Sequence, residues 1–187
     1  ILVTRENTGC HSFIGHIGRS SQQLNLQDAC IYTFGTIVHE IVHALGFWHE
    51  QQRSDRDQHI RVLDQNIGAY SGQFVKQKTL SLGVPYDVGS VMHYGAFAGS
   101  SNGQMTMETI DPLEQRSLGQ RSGLSFLDAK IINFAYCSGA CSNNLRRSCL
   151  YGGYQDPNDC SRCKCPDGFG GDFCETLAKS NSNCGEE

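Results

Sequence analysis

The sequence has no apolar run long enough to cross a bilayer and no excess of positive charge. A membrane-spanning helix needs about 20 predominantly apolar residues, so none is predicted. The net charge of -4 at pH 7 leaves no basic field, and we expect no nucleic-acid partner. Nothing near Ile1 resembles a signal peptide. This absence indicates a chain whose front was removed by processing, or a fragment.

Cysteine, by contrast, is abundant and unevenly distributed. Eight of the 10 cysteines lie between Cys137 and Cys184. Such density in a short segment is typical of a disulfide scaffold made in an oxidising compartment, which predicts a secreted, extracellular protein. The alternative is a second zinc site in which the cysteines of one C-x2-C-x-C run, Cys160, Cys163 and Cys165, bind the metal. We favour export.

One stretch carries the pattern H-E-x-x-H-x-x-G-x-x-H, formed by His39, Glu40, His43, Gly46 and His49. Two histidines four apart on a helix share one face, so both imidazoles can reach one ion. Gly46 suits the left-handed residue that ends such a helix, after which the chain can fold back to bring in His49. Three neutral imidazoles with an open fourth position are typical of catalytic zinc. The pattern predicts a zinc hydrolase with one zinc ion and with Glu40 holding a water beside it.

Hydrophobic spacing predicts the elements around this motif. Residues 1–4, 9–15 and 21–26 are strand candidates, and Cys10 and Cys30 bracket this hairpin-like region, which predicts a disulfide between them. Apolar residues recur at helical spacing over residues 32–45 on both flanks of the histidine face, so this helix is expected to be central and largely buried. They are Ile37, Val38, Ile41, Val42 and Leu45.

Two further helices are predicted downstream. A loose helix is expected over residues 66–76, with Phe74 and Val75 facing inwards. Ser125 and Asp128 have the spacing of a capping box for a second helix, which runs to Tyr136. Its apolar residues, expected to pack on the core, are Leu127, Ile131, Ile132 and Ala135.

The residues that follow the histidine motif carry a family resemblance. Gly46-Phe-Trp-His-Glu-Gln51, Ser90-Val-Met-His-Tyr94 and Gly119-Gln-Arg121 together resemble the astacin family of metzincin zinc endopeptidases. The resemblance implies an α+β fold with a twisted sheet, an active-site helix and a C-terminal helix. It implies hydrolysis of internal peptide bonds of extracellular proteins. It also implies that the family domain begins before Ile1, so that the upper sheet is incomplete, and it leaves open whether this chain is active by itself.

The resemblance assigns a role to each matching residue. His39, His43 and His49 would bind the zinc ion, and Glu40 would be the general base and then the proton donor to the leaving amine. Tyr94 would be an additional ligand that swings off to stabilise the oxyanion, above Met92 as a hydrophobic floor. The substrate would lie extended along an edge strand that contains Cys10, His11, Ser12 and Phe13.

The resemblance also suggests a residue that determines substrate specificity, and the remaining histidines can be interpreted beside it. Arg121 would bind an acidic residue just after the cleaved bond, with Arg116 as second candidate and a surface arginine as the alternative. His59 occupies a place that the family usually gives to tyrosine, and we interpret this departure as distant from the chemistry. The histidines without ligand spacing, His11, His16, His59 and His93, are interpreted as surface or core residues.

The cysteine-rich tail resembles an epidermal-growth-factor-like (EGF-like) module because it ends in C-x-C-x8-C with a glycine-rich turn before the last cysteine. This resemblance implies the pairs Cys141–Cys160, Cys149–Cys163 and Cys165–Cys174, and no calcium site. We therefore predict an astacin-like domain over residues 1–137, an EGF-like module over 138–175, and a linker with the opening of a CUB domain over 176–187. Cys137 and Cys184 are left without assigned partners. A catalytically silent binding module with the same fold is the alternative function.

Overall fold

The computed structural model describes residues 1–142 and 145–178. The chain forms two compact units, Ile1–Asp128 and a second unit that begins at Ala129, so the division lies within the second α-helix. The predictions for Cys184 and for the opening of a CUB domain fall on residues 179–187, outside the described part. Across the part that is described, every helix is too short or too polar to cross a membrane.

Three strands near the N-terminus form the first sheet: β1 (Leu2–Thr4), β2 (Cys10–Ser12) and β3 (Gln23–Leu26). The central strand β3 runs parallel to β1 and antiparallel to β2, so β2 lies at the sheet edge. Cys10 is bonded to Cys30, the predicted pair. A small core beneath the sheet consists of Leu24, Leu26 and Cys30, against which Ile37 and Ala44 pack.

The helix that carries the histidine motif, α1, covers Phe34–Ala44 as the spacing predicts. It ends at Leu45, and Gly46 follows with a φ of 103°, a conformation that glycine adopts without a steric penalty. Val42 is buried, whereas Ile41 is 44% exposed. The helix is largely buried, as predicted, but Ile41 on one flank of the histidine face is exposed.

A second core surrounds the two-stranded sheet of β4 (Ile60–Val62) and β5 (Met107–Thr109). It contains Ile60, Phe74, Tyr86, Val88 and Met107. The loose helix predicted over residues 66–76 is wrong, because only short 3-10 turns form at Asp64–Asn66 and Ser71–Phe74. Gly68 and Gly72 interrupt this stretch, and glycine disfavours a continuous helix. Phe74 is buried as predicted, but Val75 is 57% exposed.

The second helix, α2, covers Phe126–Tyr136. Both halves of its predicted capping box form: Asp128 N donates to Ser125 Oγ, and Ser125 N donates to Asp128 Oδ2, each at 2.9 Å. Ala135 is exposed, contrary to its predicted place in a core.

The second unit is built from short hairpins and disulfides. Strand β6 (Tyr154–Asp156) pairs with β7 (Asp159–Lys164), and β8 (Phe169–Gly170) pairs with β9 (Thr176–Leu177), both antiparallel. The disulfides are Cys141–Cys160, Cys149–Cys163 and Cys165–Cys174, the same three pairs that the EGF-like resemblance implies. Cys137 has no disulfide partner among the described residues.

Candidate metal centre and active-site cleft

Three histidines converge on one point at the C-terminal half of α1. His39 and His43 lie four residues apart on the helix, and the turn at Gly46 returns the chain so that His49 joins them. One ligand atom from each of the three lies within 4.8 Å of the others. The turn is held by its backbone, since Gly46 N donates to the His43 carbonyl at 2.8 Å. The three-histidine group predicted from the motif is therefore assembled in the fold.

Each of the three imidazoles is oriented by an oxygen acceptor at Nδ1. His39 Nδ1 donates to the Val91 carbonyl and His43 Nδ1 to the Phe47 carbonyl, both at 2.8 Å. His49 Nδ1 donates to Gln52 Oε1 at 3.2 Å. Because an oxygen acceptor requires the proton on Nδ1, each Nε2 of a neutral ring carries a bare lone pair.

The unprotonated nitrogens repel one another in the absence of a cation, and a bound cation would stabilise their arrangement. His43 Nε2 and His49 Nε2 lie 3.1 Å apart, and two lone pairs at this distance repel unless a positive ion lies between them. Three neutral imidazole nitrogens are the donor set of a catalytic zinc site. The residues present therefore fit the zinc ion that the motif predicts.

Burial keeps these rings in the form that binds metal. Burial, reinforced by neighbouring histidines, lowers the pKa of His39 to about 3 and that of His49 to about 2. The pKa of His43 is lowered as well, mainly by burial. A protonated imidazole cannot bind zinc, so neutral rings at physiological pH remove the competition of protons for the metal.

Glu40 is a buried carboxylate with an unpaired oxygen. It is 5% exposed, and Oε2 has no hydrogen-bond partner among the described residues. Burial raises the pKa of Glu40 to about 7, although the positive charge of Arg121 acts in the opposite direction. A carboxyl group whose pKa is close to 7 can both accept and donate a proton at neutral pH.

Tyr94 lies beside the histidines and Met92 beneath the surface. The Tyr94 ring centroid is 4.4 Å from that of His49, and its backbone N–H donates to Gln51 Oε1 at 3.1 Å. Burial, and then the negative charge of Glu40, raise the pKa of Tyr94, so the phenol keeps its proton. Met92 is 3% exposed. Both residues belong to one turn, whose Val91 carbonyl also orients His39.

Arg121 reaches the same cleft from the C-terminal part of the first unit. Gly35 at the start of α1 donates its N–H to the Arg121 carbonyl at 3.0 Å, and a Cβ on Gly35 would lie 2.1 Å from that oxygen. Only glycine permits this close approach. Arg116, the second candidate, is exposed on the 3-10 turn Pro112–Ser117.

The three histidines, Glu40, Tyr94 and Arg121 line one open cleft of about 610 Å³. The edge strand contributes Cys10, His11 and Ser12, whereas Phe13 is not among the lining residues and Ile14 takes its place. Sequence reasoning missed several lining residues, namely Ile14, Thr36, Trp48, Gln52, Tyr70 and Gln73. Thr36, Trp48 and Gln52 lie within or next to the histidine motif, so their position in the chain was a usable signal. Tyr70 and Gln73 carry no such signal.

Comparisons with known proteins agree with this geometry. Residues 1–137 match the model of the astacin peptidase family. The chain is 50% identical over 181 residues to zinc metalloproteinase nas-34 of Caenorhabditis elegans, covering 95% of this chain and 29% of that protein. It is 45% identical over 193 residues to zinc metalloproteinase nas-30 of the same organism, covering 100% of this chain and 26% of that protein.

A solved structure is similar as well. High choriolytic enzyme 1, a hatching enzyme zinc-protease from Oryzias latipes, matches with a TM-score of 0.62 and 41% identity, over 72% of this chain and 68% of that one. The chain spans less than a third of the length of the two nematode relatives. Together with the assembled three-histidine group, these matches show that the chain belongs to the astacin family of zinc metalloendopeptidases.

Proposed function

We propose that this chain contributes the catalytic part of a secreted zinc endopeptidase that hydrolyses internal bonds of extracellular proteins. One observation carries the proposal. Three bare imidazole nitrogens and the unpaired Oε2 of a buried glutamate occur in the same open cleft. A binding module has no chemical need for a buried unpaired carboxylate, which is unfavourable unless it has a function.

The histidines would hold zinc and Glu40 would move the proton. Zinc held by three imidazoles supplies a Lewis acid that polarises a carbonyl group and lowers the pKa of a water molecule. Glu40 Oε2 accepts a proton from the water that attacks the scissile carbonyl carbon. The same oxygen then donates that proton to the leaving nitrogen as the carbon–nitrogen bond breaks. The pKa of about 7 supports both directions of transfer.

Tyr94 would stabilise the negative charge that develops on the carbonyl oxygen. Its phenol stays protonated because burial raises its pKa, so its O–H can donate to that oxygen. Met92 would give the metal site an apolar floor, a role that its burial supports. Neither Tyr94 nor Met92 needs to transfer a proton, because Glu40 accounts for both proton transfers of the hydrolysis.

The substrate would lie extended along β2. This strand is at the edge of the first sheet, and Cys10, His11 and Ser12 line the cleft, so a peptide could pair with its free side. Arg121 would face an acidic side chain just after the cleaved bond, which its place in the cleft beside Glu40 supports.

Replacing Arg121 tests this preference. Arg121→Ala should slow cleavage before Asp or Glu by about tenfold in kcat/KM, since a charge pair in a partly solvated cleft contributes about 1.4 kcal/mol. Cleavage before Ala should change little. Arg116→Ala is the matched control, because that arginine is exposed and outside the cleft. Equal slowing of all peptides would contradict the assignment.

The tail would be an EGF-like module over residues 138–175, following the protease domain of residues 1–137. Its three disulfides and their pairing support this division and also support secretion, because such bonds persist in oxidising compartments. The linker and the opening of a CUB domain, predicted over residues 176–187, would begin after β9, because Thr176 and Leu177 pair with β8.

The proposal is tested by measuring zinc content and peptide cleavage for the chain and for Glu40→Ala. We expect one zinc ion per chain in both proteins, and loss of cleavage by at least about 1000-fold in the variant. Glu114→Ala, which removes an exposed carboxylate, should leave cleavage unchanged. Bound zinc without Glu40-dependent cleavage would favour the catalytically silent binding module.

A further inference from the structure

A buried chain of hydrogen bonds leads from Tyr86 to the cleft. Tyr86 Oη lies 2.7 Å from His93 Nε2, and His93 Nδ1 lies 2.8 Å from the Tyr94 carbonyl oxygen. His93 is fully buried and Tyr86 is 8% exposed. Among the residues that line the cleft, Tyr94 alone takes part in these hydrogen bonds, so they support the cleft from behind.

The direction of each hydrogen bond is determined by its partners. A carbonyl oxygen only accepts, so His93 Nδ1 carries the proton. The two partners of this buried ring are an uncharged hydroxyl and an uncharged carbonyl, so the ring is neutral and Nε2 is an acceptor. The Tyr86 hydroxyl therefore donates. Removing this hydroxyl would leave a buried acceptor unpaired, which is unfavourable.

The backbone of His93 connects the same hydrogen bonds to Arg121. Arg121 Nη1 donates to the His93 carbonyl at 3.1 Å. Two residues before Arg121 and two after His93, Gly119 and Gly95 approach so closely that a Cβ on Gly119 would lie 2.5 Å from the Gly95 Cα. His93 thus contacts the backbone of Tyr94 through its ring and the side chain of Arg121 through its carbonyl.

Tyr86 is itself held by two side chains. The His59 ring stacks on the Tyr86 ring, with centroids 4.7 Å apart and planes 2° from parallel. The Arg53 guanidinium lies 5.4 Å from the centroid of the same ring. The interpretation of His59 as distant from the chemistry is therefore incomplete, because one tyrosine separates it from the buried histidine next to Tyr94.

We propose that Tyr86 and His93 are positioning residues, which together hold the Tyr94 backbone and the Arg121 side chain in place at the cleft. His59 acts one step further back by holding the Tyr86 ring. This inference rests on the proposed function, because it concerns residues that the hydrolysis would use. It predicts that oxyanion stabilisation and preference for acidic residues depend on the same buried tyrosine hydroxyl.

Amide hydrogen exchange of Tyr86→Phe tests the proposal without any substrate. The Tyr94 N–H, which donates to Gln51, should exchange about tenfold faster, the factor that corresponds to one hydrogen bond. The Leu63 N–H, which donates to the Thr106 carbonyl beside β4, should keep its rate. Tyr32→Phe removes a hydroxyl from a side chain that is 84% exposed and should change neither rate. Equal acceleration at Leu63, or none at Tyr94, would overturn the proposal.

Kinetics then separate positioning from general support of the fold. Tyr86→Phe should lower kcat about tenfold at nearly constant KM, since small displacements of a catalytic group reduce rate steeply. In a Tyr94→Phe background the Tyr86→Phe change should have little further effect on kcat, because the Tyr94 hydroxyl that it would displace is absent. Multiplicative effects would overturn the proposal. Failure of the proposed function is recognised separately, by cleavage that survives Glu40→Ala.

The stack on His59 gives a smaller, graded version of this test. His59→Ala should accelerate Tyr94 exchange by about threefold, a fraction of the effect of the hydroxyl. His59→Phe keeps a flat ring on Tyr86 and should restore the wild-type rate. If His59→Phe behaves like His59→Ala, His59 does not act through the stack and that step of the proposal is wrong.

Discussion

The two compact units of this chain are stabilised in different ways. The first unit contains two apolar clusters and one disulfide, Cys10–Cys30. In the described part of the second unit, the buried residues are Tyr154, Asp156, Cys163 and Cys174, and three disulfides cross-link it. A segment this short cannot bury enough apolar surface, so covalent links replace a core.

The larger unit contains more buried polar side chains than the described part of the smaller unit, where Asp156 is the buried polar residue. The buried polar residues of the larger unit include the three histidines, Glu40 and Arg53, whose Nη1 lies 3.1 Å from Glu50 Oε1. Such groups are unfavourable in an apolar interior unless they are paired. The apolar clusters can offset this cost, and the cleft can therefore be built in the first unit.

Removing one disulfide from each unit is expected to give the largest contrast. Replacing both Cys149 and Cys163 by Ala opens a bond with a sequence separation of 14 and should cost about 3 kcal/mol, enough to unfold the second unit. Replacing both Cys10 and Cys30, with a separation of 20, should cost about as much. The first unit should nevertheless stay folded and bind zinc.

NMR signal dispersion for each unit, together with zinc content, distinguishes these outcomes. Loss of dispersion should be confined to the second unit in the first double variant. If that unit keeps its dispersed signals, its hairpins are held by contacts other than disulfides, and the contrast between the units is weaker than we infer.

The cost of the buried glutamate should be measurable in the metal-free first unit. Because burial raises the Glu40 pKa from 4.5 to about 7, the folded state binds its proton more tightly than the unfolded state. The stability that this proton provides is complete below pH 4.5 and is lost as pH rises through 7. Glu40→Gln, which cannot ionise, should therefore be more stable than wild type at pH 8 by up to about 3 kcal/mol.

Urea unfolding at pH 8 and at pH 4 in the presence of a chelator measures this difference, which should nearly vanish at the lower pH. Zinc should reduce it, because a nearby cation favours the carboxylate. An equal difference at both pH values would show that shape, and not charge, distinguishes the two side chains.

The smallest effect is expected at the helix cap beside the division between the units. Ser125→Ala removes the hydroxyl that accepts from Asp128 N and donates to Asp87 Oδ2. The expected loss is about 1 kcal/mol in the free energy of unfolding. Ser122→Ala, an exposed serine three residues earlier, is the control and should change stability by less than about 0.5 kcal/mol. Equal losses in the two variants would mean that the cap contributes nothing specific.

Predictions from the sequence succeeded where neighbours in the chain define the structure. The helix through His39 and His43, the left-handed Gly46 and the capping box of Ser125 all follow from spacings of a few residues. They failed where a distant element decides, as for Ile41 and Val75. Their exposure depends on what packs against them, which hydrophobic spacing does not report.

At the candidate metal centre, some features are determined by residues close in the sequence and others by residues far away in the sequence. The motif alone establishes which imidazoles share a face and which carboxylate lies beside them, because helix geometry repeats every few residues. Only the folded chain brings the Val91 carbonyl to His39, Tyr94 to His49, and Arg121 to the start of α1. Those contacts join residues far apart in the sequence, and they depend on tight glycine approaches and on buried hydrogen bonds such as that of Tyr86 to His93.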